Sequence, residues 1–78
     1  MNKPANQSDL PEISLEDRVR LSFERLGYPQ LNAIKLTANG NVMLMTGKLN
    51  SFYLKQIAQT VAIKVPGISS VDNKIEVV

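Results

Sequence analysis

Residues 31–47 read LNAIKLTANGNVMLMTG, and the central Asn39-Gly40 pair separates two runs in which apolar and polar residues alternate. Asn-Gly between alternating runs is the strongest short hairpin signal, because both residues tolerate the positive φ of a tight primed turn. The turn also sorts the side chains. In a two-residue loop Ala38 faces Asn41, so Leu36 pairs with Met43 and Ile34 with Met45. These four then form one apolar side, and Lys35 and Thr37 share the other with Val42 and Leu44. A three-residue loop would instead pair Leu36 with Leu44 and expose both methionines, since a slip of one residue turns a strand over. The two-residue loop is the expectation, with the methionines inward, where flexible thioethers fill irregular gaps.

A two-stranded hairpin is marginal by itself and needs further layers. The first lies upstream. Ser14 opens SLED, a capping-box variant in which the Ser hydroxyl accepts from a first-turn amide and Asp17 reaches back. Glu16 and Asp17 suit the positive end of a helix dipole. Leu15, Val19, Phe23 and Leu26 then fall on one helical stripe, Leu21 and the charged residues lie off it, and Gly27 is placed to end the helix before Pro29. Downstream, Gly47 closes the second strand, and LNSFYLKQIAQTVAIKV reads as a helix capped by Asn50 or Ser51. Its buried stripe is Leu54, Ile57, Ala58, Val61 and Val65, with Ala62 at the margin and Phe52, Lys55, Gln56, Gln59 and Ile63 largely opposite. Pro66-Gly67 breaks this helix. In the final run Ile68, Val71, Ile75 and Val77 point one way, and Asp72, Lys74 and Glu76 the other.

The pattern is helix, strand, strand, helix, strand. It predicts a small α+β domain of α-β-β-α-β order, with a three-stranded mixed sheet and two helices packed on one face. The last strand is expected beside one hairpin strand after a right-handed crossover; the sequence leaves open which one. The domain is expected over residues 14–78, preceded by a flexible polar arm over 1–13.

The 78 residues allow one small domain, and with neither cysteine nor histidine there is no thiolate metal site, cysteine nucleophile or imidazole base. The acids are scattered, no phosphate-cradling loop appears, and no nucleophile lies beside a base, so neither an enzyme nor a cofactor is expected. The net charge of +2 is unevenly spread: residues 27–71 carry Lys35, Lys48, Lys55 and Lys64 and no acid at all. Such a segment either attracts an anionic surface or simply keeps the chain soluble. Residues 1–13, MNKPANQSDLPEI, are polar, carry two prolines and do not read as a signal peptide, and no stretch approaches a transmembrane helix in length. A cytoplasmic location is expected for the chain as given; the periplasm or cell envelope is the alternative for a trimmed one.

Residues 14–78 resemble the BON domain, a bacterial module named after osmotically inducible and nodulation-associated proteins. The resemblance rests on Met43, Met45, Gly47 and Leu49 for the strand pattern, on Ser51, Leu54, Ile57, Ala58, Val61 and Val65 for the helix, and on Gly67, Ile68, Val71, Asn73 and Ile75 for the closing motif. The chain departs from it in using methionines where Val and Leu are usual, and in placing its turn glycine, Gly40, one position early. The resemblance implies a non-catalytic binding module, with attachment to phospholipid as the proposed activity of the family.

Two surfaces and one polar residue stand out as candidates. Phe52 and Tyr53 open the second helix near Lys48 and Lys55, a set suited to a lipid interface in which lysines meet phosphates and a ring enters the acyl boundary. The structural alternative folds Phe52 back onto the preceding loop and sets Tyr53 at the core edge. Lys35, Thr37, Val42 and Leu44 lie on the sheet face away from the helices, with Ala33 and Val78, and would suit a partner protein or self-association if uncovered. Asn73 has inward parity and needs hydrogen-bond partners, in nearby backbone or in a ligand. Gly40, Gly47, Gly67 and Asn73 form the structural motif. The expected partner is an anionic phospholipid or another protein. Nucleic acid is disfavoured, because the chain has no GxxG loop, no stacked aromatics on its strands and no arginine-rich patch.

Overall fold

A computed structural model describes residues 13–78. The arm expected over 1–13 lies outside them except for Ile13, which is exposed. Helix α1 runs Leu15–Leu26. It begins where Ser14 Oγ accepts from the Asp17 amide at 3.1 Å, and it ends at Gly27, whose φ of 77° is the left-handed C-cap expected there. Val19 and Phe23 are buried and Leu15 packs against the core. Leu26 does not follow the predicted stripe: it sits 38% exposed, because the chain turns away at Gly27 before anything covers it.

A single 3-10 turn, Pro29–Ala33, precedes the hairpin. The alternation of the following strand extends back through Ile34, but the regular strand begins one residue later, and Leu31 from the turn is fully buried. Arg20 holds this turn in place. Its guanidinium donates to the carbonyls of Leu31 at 3.1 Å and Ile34 at 2.6 Å, tying α1 to the strand entrance.

Strands β1 (Lys35–Asn39) and β2 (Val42–Leu49) pair antiparallel, and β3 (Ser70–Val77) pairs parallel with β2, so β2 is central. The loop has two residues, as expected, but they are Gly40 and Asn41 rather than Asn39 and Gly40. Leu36 therefore pairs with Met45 and Ala38 with Met43, in place of the predicted Leu36–Met43 and Ile34–Met45 pairs. Every pair shifts by two residues, which preserves side-chain parity, and both methionines are fully buried. The turn takes positive φ only at Gly40 (59°), which suits a type II′ loop with glycine first and spares Asn39 a left-handed conformation. The Asn41 carbonyl then accepts from the Ser69 amide at 2.8 Å, fastening the turn to the start of β3.

Helix α2 (Phe52–Ile63) is capped by Ser51, whose Oγ accepts from the Leu54 amide at 3.2 Å. Its buried line is Leu54, Ala58 and Ala62, with Val65 just beyond. Ala62 thus lies at the centre of the contact rather than at its margin, and Ile57 and Val61 flank it half-buried. The alanines allow α2 to lie close to the sheet face that carries Met43, Met45 and Ile75. Both helices contribute to this one core, so the architecture is the predicted α+β arrangement of two helices with a three-stranded mixed sheet.

Candidate functional site

The first turn of α2 holds the most exposed aromatic rings, with Phe52 at 70% and Tyr53 at 60%. Phe52 does not fold back onto the preceding loop. Phe52 precedes Leu54, the first residue of the buried line, by two positions, which is about 200° around the helix and so turns its ring to solvent. Tyr53 is partly supported by an edge-on contact with Tyr28, with ring centroids 6.5 Å apart and planes at 82°. The pKa of Tyr28 is raised above the ordinary phenol value, chiefly by side-chain hydrogen bonding with Tyr53 and secondarily by its charge. Lys55 follows Phe52 by three positions and so neighbours it on the helix surface, but it is half-buried rather than opposite the core. Lys48 is exposed on the other side of the strand-to-helix junction, where it borders a shallow groove with Asn50 and Val78. The Val78 amide donates to the Leu49 carbonyl at 2.8 Å, so Val78, 74% exposed, belongs to the same end of the sheet.

The pairing registers lay out the outer sheet face in rows. Asn39, Val42 and Ser70 form one, Thr37, Leu44 and Asp72 the next, and Lys35, Thr46 and Lys74 a third; Lys48 and Glu76 lie beyond. No element among the described residues covers this face. Its apolar part is small: Val42 is 38% exposed and Leu44 half-buried, with Thr37 and Asp72 on either side. Ala33, assigned to this face from the alternation, instead ends the 3-10 turn.

Asn73 points inward and finds protein partners. Its amide nitrogen donates to the Lys55 carbonyl at 3.2 Å and to Gln59 Oε1 at 3.1 Å, while its Oδ1 accepts from the Ile75 amide at 3.2 Å. One side chain thereby joins α2 to β3, through a carbonyl and a side chain inside the helix rather than the loop or helix-end backbone. Gly47 has a φ of 134°, and a Cβ there would lie 2.9 Å from the Ala33 carbonyl oxygen, so the 3-10 turn can cross β2 only over a glycine. Gly67, at φ 100°, carries the chain from α2 into β3 beneath Leu15.

Three contributors are not legible as such in the sequence: Arg20, which reads there as a residue off the apolar stripe, Glu16, which reads as a partner of the helix dipole, and Tyr28. Glu16 Oε2 accepts from the Ala38 amide at 3.0 Å, and this bond lowers the Glu16 pKa below its ordinary value. Charged residues one turn apart on α1 were the available signal, but their targets lie on another element.

Among the described residues no group of three or more His, Cys, Asp or Glu side chains is placed to hold a metal ion, and no helix is long and apolar enough to cross a membrane. No protein-family model matches the chain, and no curated protein matches it.

Proposed function

We propose that the chain is a BON-type binding module, without catalytic activity, that attaches peripherally to anionic phospholipid surfaces. The observation that carries this reading is the pair of rings standing out from the first turn of α2, Phe52 at 70% exposure, beside Lys55 and across the junction from Lys48. A phenylalanine that contributes little to its own core gains about 1.5–3 kcal/mol when fully buried elsewhere. Lysines near an anionic leaflet add about 1 kcal/mol each. The two contributions are of similar size, so both are needed for useful affinity, and the second weakens with salt.

Co-sedimentation with neutral and anionic liposomes, at low and physiological salt, tests the reading. Binding restricted to anionic vesicles and weakened by salt is expected. Phe52→Ser should lower partitioning by about tenfold or more while leaving the far-ultraviolet circular dichroism of the helices intact, because the ring is not part of the core. Partitioning unchanged by that substitution would sink the proposal.

A second reading, a protein-interaction module using the outer sheet face, draws on the uncovered Val42 and Leu44 side chains. Sedimentation velocity at high concentration addresses its self-associating form, for which a strict monomer is the negative result.

A further inference from the structure

The lysine rows of the outer sheet face form a unit of their own. Lys35 and Lys74 are the cross-strand neighbours of Thr46, one on each side, and Lys48 follows Thr46 by two residues on the same strand and face. All three lysines are exposed, and Thr46 is half-buried between them. Strand spacing near 4.8 Å puts the Lys35 and Lys74 backbones roughly 10 Å apart, with Lys48 roughly 8 Å from each. Side chains of lysine length bridge such gaps easily, so three ammonium groups can converge above the Thr46 hydroxyl. Thr46, Lys48, Lys74 and Glu76 also border one shallow depression of about 260 Å³, with Lys35 outside its rim on the far side of Thr46. Among the described residues the cationic side chains that donate hydrogen bonds to the protein are Arg18 and Arg20, leaving these lysines available. Two acids border this cluster: Glu76, opposite Lys48, and Asp72, opposite Leu44 in the neighbouring row, each two residues from Lys74.

We infer that Lys35, Lys48 and Lys74, with the Thr46 hydroxyl, form a headgroup site for a phosphomonoester lipid such as phosphatidic acid. The inference rests on the lipid reading above and deepens it by naming the headgroup and the residues that take it. Three donors converging from three sides match the terminal oxygens of a phosphomonoester, which carries more charge and more free oxygens than a phosphodiester. Lys48 connects this site to the end of the sheet that carries Val78 and precedes Phe52. A molecule seated on that end brings the lysines to headgroup level while the ring reaches the acyl boundary.

The test compares the whole chain on three vesicles: phosphatidylcholine alone, phosphatidylcholine with phosphatidylglycerol, and phosphatidylcholine with phosphatidic acid, the last two matched in surface charge. Wild type should bind phosphatidic acid vesicles more tightly than phosphatidylglycerol vesicles. Lys35→Ala with Lys74→Ala should weaken phosphatidic acid binding roughly 30-fold, about fivefold per lysine. Glu76→Gln should strengthen it. Lys64→Ala removes a charge of the same kind from the far end of α2 and should change it little. These are exposed positions, and matched thermal melts confirm that each variant is folded. Wild type that binds neither anionic vesicle overturns the lipid reading and this inference together. Wild type that binds both equally, or that loses as much per charge with Lys64→Ala as with the sheet lysines, overturns the headgroup site alone.

Discussion

A Cβ at Gly47 would sit 2.9 Å from the Ala33 carbonyl oxygen while the backbone holds φ at 134°, so substitution there meets steric crowding and strain together. Gly47→Ala is expected to cost about 1–3 kcal/mol, seen as a lower urea midpoint with an unchanged m-value. Asn73 carries a different burden, since its oxygen accepts and its nitrogen donates. Asn73→Asp keeps the acceptor for the Ile75 amide but sets a carboxylate against the Lys55 carbonyl and the Gln59 oxygen. It should therefore destabilise at neutral pH by about 1–3 kcal/mol, and the loss should shrink in acid as the carboxyl gains a proton. A loss independent of pH would contradict this account. The Tyr28–Tyr53 contact has its own signature. Tyr28 has a raised pKa when folded, so this group favours the fold below the unfolded phenol pKa, and that contribution disappears as pH rises through the folded value. Tyr53→Phe should return the Tyr28 titration, followed by ultraviolet absorbance, toward the ordinary range.

Both edges of the sheet are closed at one point by a side chain. On β1 the Ala38 amide points away from β2 and meets Glu16 of α1, and on β3 the Ile75 amide is taken by Asn73. An outward amide left free offers a template for another strand, and these bonds occupy it. Glu16 accepts best as a carboxylate, and its pKa is lowered below 4.5 in the folded state. Its contribution is therefore present above the unfolded carboxyl pKa and is lost as pH falls through the lower folded value. Denaturation curves of wild type and Glu16→Gln should differ most near neutrality and converge in acid. A gap that stays constant from neutrality into acid would show that the carboxylate charge has no part in the bond.

At the scale of the whole domain, α1, the 3-10 turn, the sheet and α2 meet in one core, with Met43 and Met45 fully buried on the central strand. Volume-conserving Met45→Leu should cost under about 1.5 kcal/mol, whereas Met45→Ala should cost about 2–5 kcal/mol because it opens a cavity beneath both helices. In a domain this small the second loss is comparable to the total stability expected of it. Thermal melts of the two variants separate the cases. The same construction leaves the rings exposed at one end and the lysines on the outer face, over a buried interior that is apolar among the described residues, with the inward amide of Asn73 satisfied.

The element order, the inward methionines and the outward lysines follow from the sequence alone, because alternation and the helical repeat are local properties that record which side of each segment is apolar. The same locality explains the misplaced turn. Gly40-Asn41 and Asn39-Gly40 loops give every side chain the same face, and the observed one is fastened by Ser69, twenty-eight residues from Asn41. Nor could a local pattern show that β3 joins β2, that Asn73 reaches Lys55, that Glu16 reaches Ala38, or that Gly47 makes room for Ala33. Each of these is a meeting of groups far apart in the chain. The tertiary structure decided them when the docking of the helices onto the sheet set which distant polar groups and backbones came within contact of one another.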